Sequence, residues 1–103
     1  MIIYVAGPMR GYPEENKPAF ERAKKLIEQD FKNQGIEVQV IIPHDIMPKE
    51  LNGPLPMEMY IRSDVEVVLN AAMVYMLRNW QASKGASAEH AIALWANKQI
   101  RYE

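Results

Sequence analysis

Five consecutive apolar residues near the N-terminus, Ile2-Ile3-Tyr4-Val5-Ala6, stop at Gly7-Pro8, and this run limits the possible folds more than any other feature. A strand with one wet face alternates apolar and polar residues. A short unbroken run between breakers reads instead as a strand buried on both faces. Strands of that kind belong to parallel sheets with helices above and below. The remaining chain must then supply the covering helices and the crossovers that parallel pairing requires.

Helical spacing follows at Phe20, Ala23, Ile27 and Phe31, with Lys24, Lys25, Glu28 and Lys32 between them. Asn16 is the expected N-cap, Pro18 fits the first turn, and Gly35 is a C-terminal stop. Ile36 to Ile42 is rich in β-branched residues and ends at Pro43, so it reads as the second strand. Residues 43–56 hold four prolines, a glycine and an asparagine. They read as a long loop of the kind that borders a site. Met57, Ile61, Val65 and Val68 share a face of a helix over 57–70, opposite Glu58, Arg62 and Glu66. A third strand is expected over 72–77, then a polar connector over 78–85 that contains Trp80. The last helix spans 86–98 with Ala88, Ile92, Trp95 and Ala96 inward, and 99–102 forms a short fourth strand. The expected fold is therefore α/β: one domain over 1–103, a three-layer sandwich on a parallel Rossmann/flavodoxin-like sheet of four strands, or five.

A net charge of −1 offers no field for gripping a nucleic-acid backbone, although a few placed donors suffice for a single nucleotide. Cysteine is absent, which removes disulfides and thiolate metal ligands and fits a reducing cytoplasm. His44 and His90 show no metal-ligand spacing, so neither a metal nor another cofactor is expected. No apolar run reaches the ~18 residues of a membrane span. The N-terminus also lacks the basic segment of a signal peptide.

In open parallel sheets, ligands bind beyond the strand carboxyl ends. Three segments qualify. The first is Gly7-Pro8-Met9-Arg10-Gly11, whose glycines let backbone N–H groups approach an anion and whose arginine can grip a phosphate; a plain turn with a solvated arginine fits equally. The second begins at Pro43 and contains His44, which either faces a base or is an ordinary loop residue. The third is Ser83-Lys84-Gly85-Ala86-Ser87-Ala88-Glu89, which resembles an anion-binding helix start. Glu89 falls in the first helical turn or just past it, where the helix dipole favours the ionised form. It is either a nucleophile or a residue that merely complements the dipole. Asp64 stands beside the apolar positions of its helix and needs a partner or ligand, unless it or Ser63 caps a later helix start or it pairs with Arg62. Tyr4 on the first strand is either a core residue or part of the site.

Taken together, Tyr4 to Gly11, Asp64, and Ser83 to Glu89 resemble the nucleoside 2-deoxyribosyltransferase-like superfamily. The closest likeness is to its small phage and bacterial members and to the 2'-deoxynucleoside 5'-monophosphate N-glycosidases. The resemblance spans nearly the whole chain in element order. It implies Glu89 as nucleophile, in the pattern Ser-x-Gly-x-x-x-Glu with Ser83 and Gly85. It implies Tyr4 as the residue that orients Glu89, and Asp64 as the ligand of the sugar hydroxyls. The implied 5'-phosphate contacts are Gly7, Arg10 and Gly11, and Met9, His44, Ser83 and Gly85 complete the candidate substrate-binding residues. Pro8 departs from the pattern, because the monophosphate hydrolases carry a serine there. A further departure is the end of the chain at Glu103, since family members often close the pocket with a longer C-terminal part from a neighbouring subunit. The implied partners are a small-molecule nucleotide or nucleoside and a second copy of the chain, most simply in a homodimer. The rival expectations are a non-catalytic nucleotide-binding module on the same fold and an interaction protein without a pocket.

Overall fold

The computed structural model describes residues 1–47 and 55–103. Four strands, β1 (Ile2–Ala6), β2 (Gln39–Ile41), β3 (Met73–Met76) and β4 (Gln99–Tyr102), form one all-parallel sheet in the order β2-β1-β3-β4. Three helices, α1 (Lys17–Asn33), α2 (Met57–Asn70) and α3 (Lys84–Trp95), connect them. Short 3-10 turns occupy Pro13–Asn16, Pro43–Asp45 and Trp80–Ala82. The architecture is the flavodoxin-like three-layer sandwich with four strands.

The unbroken apolar run of β1 follows from its central place. Ile3 and Val5 pack under α1 with Phe20, Ala23, Ile27 and Phe31. Tyr4 and Ala6 point the other way, toward Val67 and Val68 of α2 and Ala86 and Ala93 of α3. Successive strand side chains alternate between faces, and both faces of β1 are dry. Tyr4 therefore projects into the layer that carries α2 and α3.

Several boundaries differ from the sequence expectation. The second strand is only Gln39–Ile41, because Ile36 finishes α1. Gly35, at φ +73°, lets the amide of Ile36 donate to Phe31 O (2.9 Å) and its own amide donate to Lys32 O (3.0 Å). That is a Schellman stop. Asn16 precedes α1 as expected but makes no cap; its Nδ2 donates to Pro8 O at 2.9 Å. Helix α2 begins at Met57, so neither Ser63 nor Asp64 caps it, and Ser63 Oγ donates to Ile46 O (3.2 Å). Met57 and Ile61 are exposed, so only the Val65 and Val68 end of the expected apolar face turns inward, beside buried Val67. Helix α3 starts at Lys84, two residues early, because Ser83 Oγ accepts from the amide of Ala86 at 3.2 Å and caps it. Its buried stripe is Ala86, Glu89 and Ala93, while Ala88 and Trp95 are exposed and Ile92 and Ala96 are half-buried. Trp95 is 89% exposed. Residues 48–54 of the expected long loop lie outside the described residues.

Candidate active site

The strand order reverses at β1. The chain leaves β1 for β2 on one side, then crosses back to β3 on the other. Helix α1 follows β1 onto one face and α3 follows β3 onto the opposite face. The carboxyl ends of β1 and β3 thus open a crevice between diverging connections. They run close together: Leu77 N donates to Ala6 O at 2.8 Å. A Cβ on Gly7 would lie 2.7 Å from Leu77 Cβ. Gly7 is therefore needed first for this close approach.

From α3, Glu89 reaches the face of the sheet at the central strand β1. It is the only charged side chain buried among the described residues, at 6% exposure. Small neighbours on its own helix, Ala86 and Ala93, let α3 lie close to the sheet. Tyr4, fully buried on β1, donates its hydroxyl to Glu89 Oε2 at 2.7 Å. The two residues stand 85 positions apart in the chain. Nothing in the strand period alone distinguishes this tyrosine from a core residue.

Burial first, then the nearby Asp64 carboxylate, push the Glu89 carboxyl up to about 8 against the opposing pull of the Tyr4 hydrogen bond. The ionised form expected from the helix dipole is thus not the favoured one in the free protein. Glu89 sits in the second turn of α3, where the dipole has weakened, and desolvation outweighs it. Burial likewise raises the half-buried Asp64 carboxyl. The Tyr4 hydroxyl is pushed well above the ordinary phenol range by burial first, then by Glu89 and Asp64. Asp64 on α2 thus shares an electrostatic site with Tyr4 and Glu89. It forms no ion pair with Arg62.

The expected anion contacts surround the strand ends. Arg10 and Gly11 are exposed, Met9 is half-buried, and Arg10 has no ion-pair partner among the described residues. Gly11 takes φ +88°. Gly85 lies inside α3, and a Cβ there would meet nothing within 4 Å. Ser83 accepts the capping bond, so its hydroxyl hydrogen remains to donate. His44 is placed differently from the rest. Its Nε2 meets Glu15 O at 3.0 Å, and its ring stands edge-on to Phe20 at 4.9 Å, under α1. A second aromatic group carries no sequence signal: His90 stacks on Trp80 at 4.1 Å and its Nε2 is hydrogen-bonded to Tyr102 Oη at 2.7 Å. This group ties the 80–82 turn to α3 and β4. Its members are 10 and 12 residues apart, a separation that no motif marks. Among the described residues, no three His, Cys, Asp or Glu side chains are grouped to hold a metal ion. No helix among them is long and apolar enough to cross a membrane.

Residues 1–102 match the family described as a domain of unknown function (DUF4406), and the chain belongs to that family. No curated protein matches it in sequence. Among solved structures, the chain is similar to a 2-deoxyribosyltransferase of the psychrotolerant bacterium Bacillus psychrosaccharolyticus. The TM-score is 0.70 at 19% identity, over 99% of this chain and 71% of that one. It is also similar to a 2-deoxyribosyltransferase of Leishmania mexicana, with a TM-score of 0.69 at 17% identity, over 98% of this chain and 62% of that one. The fold is thus that of the 2-deoxyribosyltransferases.

Proposed function

We propose that this DUF4406 member breaks the base–sugar bond of a (deoxy)nucleoside 5'-monophosphate, or moves the deoxyribosyl group between bases, with Glu89 as nucleophile. The observation that carries this reading is the buried Tyr4–Glu89 hydrogen bond at the crevice where the strand order reverses. A carboxyl held out of water by a buried phenol is costly, and core packing gives no reason to keep it. The likeness in fold to 2-deoxyribosyltransferases supports the choice of chemistry.

In this mechanism the free carboxylate oxygen of Glu89 bonds to C1' of the sugar. The C1'–N bond breaks and its electron pair leaves with the base, which takes up a proton. Water then attacks C1' and releases Glu89, or a second base does so in the transferase version. The Tyr4 hydroxyl keeps Glu89 Oε2 fixed, so that the other oxygen faces the sugar. Asp64 holds the sugar hydroxyls. Arg10, Ser83 and the loop amides of Gly7 to Gly11 hold the 5'-phosphate, which favours a phosphorylated substrate and hence hydrolysis. We place the reaction in the cytoplasm and expect a second copy of the chain to pack on this one.

Hydrolysis of a panel of deoxynucleosides and their 5'-monophosphates, scored by chromatography for free base, tests the reading. Glu89→Ala should reduce base release by roughly a thousandfold or more. Undiminished release would exclude Glu89 as nucleophile. A second reading has one observation in its favour: a carboxyl pushed up to about 8 is largely neutral at pH 7 and a poor nucleophile. A nucleotide-binding module without turnover would fit that state. Tight binding by calorimetry with no base released at pH 8.5 would establish it.

A further inference from the structure

Between Gly11 and Asn16 the backbone repeatedly enters the left-handed region. Gly11 does so freely at φ +88°, but Glu14, Glu15 and Asn16 do so at φ 54°, 53° and 62°. Side chains other than glycine adopt this conformation at a cost, and a run of three persists only where the surroundings hold it. The run ends abruptly, since Lys17 returns to φ −53° and opens α1. A left-handed turn is therefore wedged between the Gly7–Gly11 loop and a right-handed helix that would otherwise extend toward it.

Two side chains hold the turn. Asn16 Nδ2 donates to Pro8 O at 2.9 Å and ties its end to the loop. His44 comes from the neighbouring strand's carboxyl end and meets Glu15 O at 3.0 Å. A carbonyl oxygen only accepts, so His44 Nε2 carries the proton and donates. The ring is fixed edge-on to Phe20. Its Nδ1 is buried with no hydrogen-bond partner among the described residues. Nε2 is thus committed to Glu15 O rather than to a base. Backbone bonds complete the frame, from Tyr12 N to Met9 O at 3.2 Å and from Glu15 N to Tyr12 O at 3.1 Å.

We propose that His44 is a positioning residue: by donating to Glu15 O it clamps the left-handed turn at Glu14–Asn16, and so keeps the Gly7–Gly11 loop in the shape that receives a 5'-phosphate. The clamp rests on geometry alone. Its consequence for phosphate rests on the function proposed above. Without the clamp, Glu14 to Asn16 relax toward right-handed backbone. Asn16 then draws Pro8 out of place, and Arg10 moves with it.

The test compares His44→Leu, which fills the space under Phe20 without a donor, with His44→Gln, whose amide N–H can replace Nε2–H. Hydrogen exchange of the amides of residues 9–16 reads the turn directly, without reference to any activity. KM for a deoxynucleoside 5'-monophosphate, set against KM for the same nucleoside without phosphate, reads the loop. His44→Leu should speed exchange over 9–16 and raise KM for the monophosphate about tenfold. It should leave kcat and the nucleoside KM nearly unchanged. His44→Gln should restore most of both properties. Wild-type exchange in His44→Leu overturns the clamp, and so does equal loss in the Leu and Gln variants, which would make packing the cause. Arg10→Ala separates the two readings. If it leaves the preference for phosphate intact, the loop is not the phosphate site, and the exchange data still decide the clamp. If it abolishes that preference while His44→Leu does not weaken it, the positioning role is wrong.

Discussion

At the scale of single residues, Glu89 shows what a spacing can and cannot convey. Its distance from Ser83 and Gly85 marked it as a candidate nucleophile. Its ionisation depends on burial and on Asp64, which is not adjacent in the chain, and so is not carried by the spacing. The consequence is measurable. Burial and Asp64 push the Glu89 carboxyl from the ordinary 4.5 up to about 8, so the fold prefers the neutral form. That preference contributes stability fully below about pH 4.5, and the contribution is lost as pH rises through 8. Thermal or urea denaturation should show stability falling by up to about 1.4 kcal/mol per pH unit between pH 5 and 8. Asp64, also raised, adds in the same direction. Glu89→Gln should flatten much of the slope. As a nucleophile Glu89 must be ionised, so kcat/KM should rise with pH through an apparent pKa near 8. Tyr4→Phe removes the hydrogen bond that holds this pKa down, and should move the limb up by about one pH unit. A flat profile in the parent protein would contradict the assignment.

At the scale of elements, hydrophobic spacing located most of the regular structure and failed where the site begins. On α1 the spacing selects Phe20, Ala23, Ile27 and Phe31, and all four are buried. On α3 the spacing selects Ala88, Ile92, Trp95 and Ala96, whereas the buried stripe is Ala86, Glu89 and Ala93. A carboxylate between two alanines looks polar to any hydrophobicity count. It is nevertheless the inner face, because the helix approaches the sheet through its small residues and presents the glutamate to Tyr4. A break in the pattern of this kind supports the proposed role of Glu89. The β1 end makes a similar point. In the sequence Gly7 reads as a glycine that lets backbone N–H groups approach an anion, or as part of a plain turn, yet the close passage of Leu77 is what requires a glycine. Gly7→Ala should therefore cost about 1–3 kcal/mol in denaturant titrations, even with no ligand present. A neutral result would mean that the strand ends separate easily.

At the scale of the whole molecule, α2 and α3 leave Met57, Ile61, Leu69, Leu94 and Trp95 exposed on the layer that also carries Asp64 and Glu89. The second copy proposed above would cover these side chains. Trp95→Asp should shift sedimentation toward a monomer while changing the monomer's own stability by no more than about 0.5 kcal/mol. If the parent chain already sediments as a monomer, that pairing is wrong. The sequence alone determined the parallel sheet, since an unbroken apolar strand and alternating helices are local patterns, set by which side chains avoid water. It also determined the three strand-end segments, because breakers such as Gly7-Pro8 and Pro43 punctuate the chain locally. The tertiary structure alone decided that burial raises the Glu89 carboxyl, that His44 turns to Glu15 rather than to the crevice, and which face of α3 is inside. Each of those depends on desolvation and contact between residues far apart in the chain, and a periodicity read along the chain carries no record of them.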